Sequence, residues 1–252
     1  MPRLACLLAL LLLCGCALTS GPDVVCEGAY PRHLQGVCTD GRSFYWSWTD
    51  AIVRTDLSGR LQAKVAAPFH QGDLCHVDGR VYVAVNLGEF NRPAGRADNW
   101  IHVHDAATLA LLGRHPVPEV VHGAGGVAHR GGRFFVVGGL PPEVPENCVY
   151  EYDGAFRFVR RHVLTSGHTL MGIQTVAWAH GSWWFGCYGE PKVLLRADAD
   201  FKVTGRWHFD ASLGIEQGPD GVLLIGSNRR GGDKSHVGRL RPVRIADLGP
   251  TL

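Results

Sequence analysis

The chain has 252 residues, among them 33 glycines and 14 prolines, and its formal net charge is +2. This near-balanced charge, with no long run of Lys or Arg, excludes the basic surface that binding to nucleic acid requires. The length suits one domain with a sizeable core and leaves no room for a second. Dinucleotide, haem and phosphate-loop signatures are absent from the sequence.

The amino-terminal segment predicts export and lipidation. Arg3 precedes an apolar run from Leu4 to Leu13, which is too short to span a bilayer and is typical of a signal peptide. The run ends in Leu13-Cys14-Gly15-Cys16, the pattern of a bacterial lipobox with Cys16 as the lipidated residue. A plain signal peptide is the alternative. We therefore expect an extracytoplasmic, lipid-anchored protein of the bacterial cell envelope, at the outer membrane or on the periplasmic face.

A repeated unit organises the rest of the chain. Each copy reads as a short apolar strand, a glycine turn and an aromatic or aliphatic strand. The copies recur at about 40 to 50 residues, the period of four-stranded propeller blades. Sustained helical periodicity is missing, which favours an all-β fold over α/β. The sequence thus predicts a five-bladed β-propeller of four-stranded blades, with turn glycines at Gly41, Gly79, Gly132, Gly181 and Gly221.

The expected domain division has three parts. Residues 1–15 form the signal peptide with its lipobox, residues 16–32 a lipid-anchored segment, and residues 33–252 the propeller. The last blade lacks an obvious outer strand, and either Val24-Val25-Cys26 or Val243-Arg244-Ile245 would supply it. Closure matters because an unpaired sheet edge promotes aggregation.

Polar residues recur at the beginning of the predicted inner strands. The long loops 86–99, 138–147, 189–191 and 226–236 open on the same face, and loops that grow on one face of a repeat array usually mark the binding face. We expect four side chains to meet at that mouth of the channel and to perform acid–base chemistry, with Asp73 or Glu216 as the base. The four are Gln35, Asp73, Gln174 and Glu216.

Histidines precede the same strands at matched positions, namely His33, His70 and His122. Neutral imidazole is a good ligand of zinc, so a divalent metal ion is one possible cofactor. The competing interpretation is structural, since repeats often keep one residue at equivalent positions to cap a turn. Both interpretations stay open at this point.

Aromatic residues suggest contacts with a ligand. Most aromatic runs are expected to fill the space between blades. Trp48, Trp100 and Tyr188 lie at strand ends beside the long loops, and His168 lies nearby, so these four are candidates for ligand binding. The cysteines that follow Cys16 are odd in number, so at least one thiol stays unpaired.

The first repeat resembles the five-bladed glutamine cyclotransferase family, also called plant-type glutaminyl cyclases. The resemblance rests on Leu34-Gln35-Gly36-Val37, Asp40-Gly41 and Ile52-Val53-Arg54-Thr55-Asp56, followed by Gln71-Gly72-Asp73-Leu74 in the second repeat. It implies the propeller fold and cyclisation of amino-terminal glutamine. At Asp73 the family carries glutamate.

Two functions follow as hypotheses. The first is an enzyme, a cyclotransferase, lyase or hydrolase, that acts on a small polar molecule or a peptide end. The second is a non-catalytic propeller that holds a protein partner or a cell-envelope glycan, because propellers host both kinds of function. In either case we expect a monomer, attached to the membrane only through its amino-terminal lipid.

Overall fold

The computed structural model describes residues 21–252, which form twenty β-strands and one short 3₁₀ helix. The strands make five antiparallel sheets of four strands each. These sheets are the blades of a propeller, so the predicted all-β, five-bladed fold is confirmed. The predicted lipidation site, Cys16, lies outside the described residues.

The first four blades each follow the chain from the inner to the outer strand. Blade 1 contains β2 (Leu34–Thr39), β3 (Ser43–Trp48), β4 (Ala51–Asp56) and β5 (Leu61–Ala66). Blade 2 contains β6 (Gln71–Val77), β7 (Arg80–Asn86), β8 (Asn99–Asp105) and β9 (Leu111–Pro116). Blade 3 contains β10 (Ala124–Arg130), β11 (Arg133–Gly138), β12 (Asn147–Tyr152) and β13 (Phe158–Leu164). Blade 4 contains β14 (Ile173–Ala179), β15 (Ser182–Cys187), β16 (Val193–Ala197) and β17 (Val203–His208).

The fifth blade combines both ends of the described chain. Its inner three strands are β18 (Ile215–Gln217), β19 (Val222–Arg230) and β20 (His236–Arg244), and its outer strand is β1 (Val24–Val25). Val24 pairs with Leu240 and Val25 with Arg239. The amino-terminal strand therefore closes the ring, whereas residues 243–244 belong to β20 and the 3₁₀ helix follows at Ile245–Leu248.

Burial follows the order of strands within a blade. In blade 1 the inner strand β2 and the next strand β3 are almost wholly buried, while outer strands such as β5 and β9 are largely exposed. Large rings fill the space between blades, for example Trp46 and Trp183, both fully buried. Within residues 21–252, no helix is long and apolar enough to cross a membrane, and all five cysteines are free thiols.

The five inner strands surround the propeller axis, and each packs against the next until β18 meets β2. Four of them contain a β-bulge near their beginning: β2, β6, β10 and β14. A bulge re-aims a side chain relative to the regular ladder. The bulges of β2, β6 and β14 contain Gln35, Asp73 and Gln174. We call the face at which the inner strands begin the upper face, and the face at which they end the lower face.

Candidate functional site

Asp73 is packed between the inner strands of blades 1, 3 and 4 at the propeller axis. Its side chain is buried, and Oδ2 accepts a hydrogen bond of 2.9 Å from the backbone N–H of Val176 in blade 4. Glycine at position 36 makes room for it, because an added Cβ there would overlap the Asp73 carboxyl group. Asp73 thus separates the upper mouth of the channel from a pocket on the lower face.

The Asp73 carboxyl group favours its neutral form. Burial raises its pKa well above the usual value, and the charge of Glu216 adds to this shift, although backbone N–H groups, first that of Val176, oppose it. A neutral acid locked between inner strands suits a structural role. This differs from the catalytic base that the sequence suggested, since the packed strands enclose the group.

The upper mouth holds a hydrogen-bonded chain centred on Gln35. Its Nε2 lies 2.8 Å from Nε2 of His70, 3.2 Å from Oγ1 of Thr49 and 3.4 Å from Nε2 of His33. His33 donates from Nδ1 to the carbonyl oxygen of Leu34, so its Nε2 acts as an acceptor. Burial, reinforced by His33, lowers the pKa of His70 to about 4. The His70 imidazole is therefore neutral at neutral pH.

The loop between β7 and β8 covers this mouth. Phe90 lies against Gly123 and Gly125, and its ring centroid is 6.3 Å from that of His70. Asn91 fixes the loop, because its N–H donates to the carbonyl oxygen of His122 and its Oδ1 accepts from the N–H of Leu140, both at 2.8 Å. This loop therefore lies over the blade 2 and blade 3 side of the upper mouth.

The three histidines predicted as metal ligands do not form one set. His33 and His70 meet at Gln35, but Nδ1 of His122 lies 2.9 Å from the carbonyl oxygen of Arg92 in the covering loop. Within the described part of the chain, no three His, Cys, Asp or Glu side chains are grouped to hold a metal ion. The shared position in each repeat instead supports loops on the upper face.

A pocket of about 150 Å³ opens on the lower face, on the other side of Asp73. All five inner strands contribute to it, which places it on the propeller axis. Its polar and aromatic lining residues are Thr39, Cys75, His76, His129, Trp178 and Glu216. We call it the axial pocket.

Glu216 belongs to the axial pocket and not to the upper mouth, contrary to the prediction. Its Oε2 accepts from the N–H of Thr39, the last residue of β2, at 3.1 Å, and its Oε1 accepts from the N–H of Gln217 at 2.6 Å. The turn that follows the fifth inner strand is one residue longer than the turn in blade 2, because Glu216 pairs with Leu224, three positions after Gly221, whereas Leu74 pairs with Val83, four positions after Gly79. Counting back from the turn glycine Gly221 would have placed Glu216 level with Leu74.

The electrostatics of the axial pocket suit proton transfer near neutral pH. Burial raises the pKa of Glu216 to about 7, although the N–H groups of Gln217 and Thr39 oppose the shift. Burial and the carboxyl groups of Asp73 and Glu216 raise the pKa of the Cys75 thiol, and burial lowers the pKa of His129. At neutral pH the pocket therefore combines a partly ionised carboxyl group with a neutral thiol and a neutral imidazole.

Trp48 cannot contact a ligand as predicted, because it is completely buried. The amino-terminal segment that closes the ring also covers this residue, and the Tyr30 ring stacks on it with centroids 4.0 Å apart. Gln174 is also buried, and its Nε2 donates to the carbonyl oxygen of Met171 at 2.7 Å. This hydrogen bond stabilises the turn that precedes β14.

The other predicted ligand contacts are distributed over different blades. The indole N–H of Trp100 donates to Asp98 at 2.7 Å, and the Arg114 guanidinium lies 4.6 Å from its ring centroid. Burial raises the pKa of Tyr188 to about 12. His168 is exposed, with Nδ1 3.1 Å from the carbonyl oxygen of Val144. The structure does not bring these residues together with the axial pocket.

The sequence patterns considered above do not point to the residues in the second halves of the inner strands. Cys75, His76, His129 and Trp178 follow the apolar anchors of their strands and come just before the turn glycines. Their alignment relative to those glycines was the available signal. His76, His129 and Trp178 each lie three positions before the turn glycine of their blade and Cys75 lies four positions before it, and all four line the axial pocket.

Comparisons with known proteins identify the fold and no family. No family model matches the sequence, and no curated protein matches it. A crystal structure of a protein of unknown function from Bacteroides caccae has a TM-score of 0.50 at 13% identity, over 79% of this chain and 71% of that one. A chain from the mitotic checkpoint complex has a TM-score of 0.49 at 9% identity, and the match spans 84% of this chain but only 63% of that one. At such identities the similarity concerns the fold alone.

Proposed function

We propose that this protein is an enzyme that acts on a small polar molecule or a peptide end in the axial pocket, with Glu216 as general acid and base. The observation that carries the proposal is the position of the Glu216 carboxyl group in a pocket lined by all five blades, where burial raises its pKa to about 7. An acid–base catalyst works best when its pKa lies near the operating pH. Perturbed carboxyl groups in clefts also concentrate at functional sites.

The size of the pocket limits what enters it. Its volume of about 150 Å³ equals that of roughly five water molecules in the liquid. This accommodates the reacting end of a molecule, while the remainder of the substrate lies on the lower face. A peptide terminus or a small amide meets that requirement.

Cyclisation of amino-terminal glutamine is the candidate reaction that the first repeat favours. In that reaction the α-amino nitrogen attacks the carbon of the side-chain amide, a ring C–N bond forms and ammonia leaves. The Glu216 carboxylate would take a proton from the attacking amine, and the resulting carboxylic acid would return it to the departing ammonia. No external oxidant or metal is needed for this step.

A non-catalytic function is the second candidate, and the upper face favours it. Phe69 and Leu170 lie in the loops that precede β6 and β14 and are 61% and 55% exposed. Exposed apolar side chains on one face suit a protein partner. This binding would depend on Phe69 and Leu170 and be insensitive to Glu216.

The export and lipid anchor predicted from residues 1–16 complete the proposal. They place the propeller on the bacterial cell envelope, tethered through Cys16. The substrate would then be an extracytoplasmic molecule.

The test uses purified protein that begins at Gly21 and peptides with amino-terminal glutamine, with ammonia release as the measurement. We expect the Glu216→Gln variant to lose about 10²- to 10⁴-fold in turnover. Glu143→Gln is the matched control, because Glu143 is exposed in the loop between β11 and β12, on the upper face. Equal turnover in the wild-type and Glu216→Gln proteins would refute the role of Glu216. Turnover that is absent from wild-type protein would exclude the cyclisation.

A further inference from the structure

A second cavity lies on the lower side between blades 3 and 4. Its volume is about 520 Å³, within the usual range of small-molecule sites. We call it the arginine cleft, because three of its lining residues are arginines. The residues used below are Arg130, Arg133, Glu151, Arg160, His162 and Phe201.

Glu151 contacts three basic side chains that line the arginine cleft. Its side chain is only 5% exposed, and it lies 2.8 Å from Nε of Arg160, 2.8 Å from Nε2 of His162 and 3.3 Å from Nε of Arg133. Burial favours the neutral acid, but the hydrogen bonds from Arg160 and His162 outweigh it and lower the pKa of Glu151. The carboxylate therefore accepts a hydrogen bond from Nε of Arg160 and forms an ion pair with Nε of Arg133.

Both arginines face Glu151 with their Nε edges, which leaves their terminal nitrogens available. Within residues 21–252, the Nη atoms of Arg133 and Arg160 form no hydrogen bonds. The two side chains are 45% and 67% exposed. A fixed guanidinium with free Nη atoms is the geometry that binds phosphate or carboxylate oxygens.

Arg130 provides the third positive group. Its guanidinium carbon lies 3.6 Å from the ring centroid of Trp178, and its Nη1 is 3.5 Å from the carbonyl oxygen of Ala199. Stacking of this kind holds the guanidinium in one plane. Trp178 also lines the axial pocket, so the two cavities meet at this pair. The cleft is lined by three arginines and by two carboxylates, Glu151 and Asp200, so positive charge exceeds negative charge.

We propose that the arginine cleft binds a small organic anion, with its phosphate or carboxylate group held by Arg130, Arg133 and Arg160. The cleft is larger than an inorganic ion requires, and Phe201 supplies an apolar wall for the rest of the ligand. Phosphate and carboxylate share the same arginine chemistry, so the measurement below separates them. This site is independent of the reaction proposed for Glu216.

Isothermal titration calorimetry at low salt tests the proposal with phenyl phosphate, benzoate and benzyl alcohol as probes. We expect saturable binding of at least one of the two anions and none of the alcohol. The tighter anion identifies the group that the cleft prefers. An Arg133→Gln and Arg160→Gln double variant should weaken the affinity about tenfold or more.

Two controls accompany the double variant. Arg157→Gln removes an arginine of the same blade that is 83% exposed and paired with Asp153, and it should leave the affinity within about twofold. The Arg130→Gln variant leaves the contacts of Glu151 intact, so it tests the site even if the double variant folds poorly. It should weaken binding. The Glu216→Gln protein should bind as the wild type does, which keeps this result separate from the enzymatic proposal. Absence of saturable binding, or wild-type affinity in the double variant and in Arg130→Gln, would overturn the inference.

Discussion

Asp73 of blade 2 accepts a hydrogen bond of 2.9 Å from the backbone N–H of Val176 in blade 4, across the propeller axis. The two residues are 103 positions apart in the chain. One buried side chain thereby links inner strands that are not neighbours around the ring. It also lies between the upper mouth and the axial pocket, and the pocket contains a carboxyl group with a pKa near 7.

Replacement of Asp73 tests this link. Asp73→Ala leaves the N–H of Val176 buried without its acceptor, and we expect a loss of about 1–3 kcal/mol in the free energy of unfolding. Asp73→Asn keeps an acceptor oxygen and should cost less than Asp73→Ala. Urea denaturation measures both values. Equal stabilities for Asp73→Ala and the wild type would show that the bond does not hold the blades together.

Gly36 tests how tightly the axis is packed. An added Cβ at this position would overlap the Asp73 carboxyl group, so Gly36→Ala should cost more than about 3 kcal/mol or prevent folding. Gly113→Ala is the matched control, because Gly113 lies in the exposed strand β9 with nothing within 4 Å of an added Cβ. It should change stability by less than about 0.5 kcal/mol. Thermal denaturation of the two variants gives the comparison, and similar melting temperatures would contradict it.

The raised pKa of Glu216 predicts a dependence of stability on pH. A folded-state pKa of about 7, above the ordinary glutamate value of 4.5, means that folding favours the protonated acid. This contribution is complete below pH 4.5 and is lost as the pH rises to about 7. Between these values the wild type should lose up to about 3 kcal/mol relative to Glu216→Gln. Urea denaturation at several pH values measures it, and parallel profiles for the two proteins would refute the shift.

Cys16 tests the predicted lipid anchor. Cys16→Ser in the full-length precursor should move the protein from the membrane fraction to the soluble fraction, because the acyl chains attach to the thiol. Fractionation of bacterial cells that express each form is the measurement, and Cys26→Ser is the control because Cys26 is buried in the fold. An unchanged distribution would leave a plain signal peptide as the better interpretation.

The fold could be predicted because its signals are local. Each turn between the first two strands of a blade ends in a glycine with positive φ, between 74° and 80° at Gly41, Gly79, Gly132, Gly181 and Gly221. Glycine adopts this conformation without a steric penalty, so the requirement appears in the sequence at every repeat. The order of strands follows from that spacing.

The site could be predicted only in part. Side chains from different blades meet only when they lie at the same height along the propeller axis, and the sequence does not give that height. Glu216 and Gln35 both belong to inner strands, yet they lie on opposite sides of Asp73. The strand registers set that difference, because Glu216 pairs with Leu224 near its turn, whereas Gln35 lies in a bulge opposite Ser47 and Trp48 at the far end of its hairpin. Similarly, the burial of Trp48 depends on Tyr30, which lies in the segment that completes the neighbouring fifth blade and outside the repeat that contains the tryptophan.

The most direct test of the proposed site is a titration of the Glu216 carboxyl group by ¹³C NMR, with the Glu216→Gln protein used to assign its resonance. The proposal predicts a midpoint near pH 7, set by burial in the axial pocket. A midpoint near the ordinary glutamate value of 4.5 would contradict it, because Glu216 would then be fully ionised at neutral pH and a poor general acid.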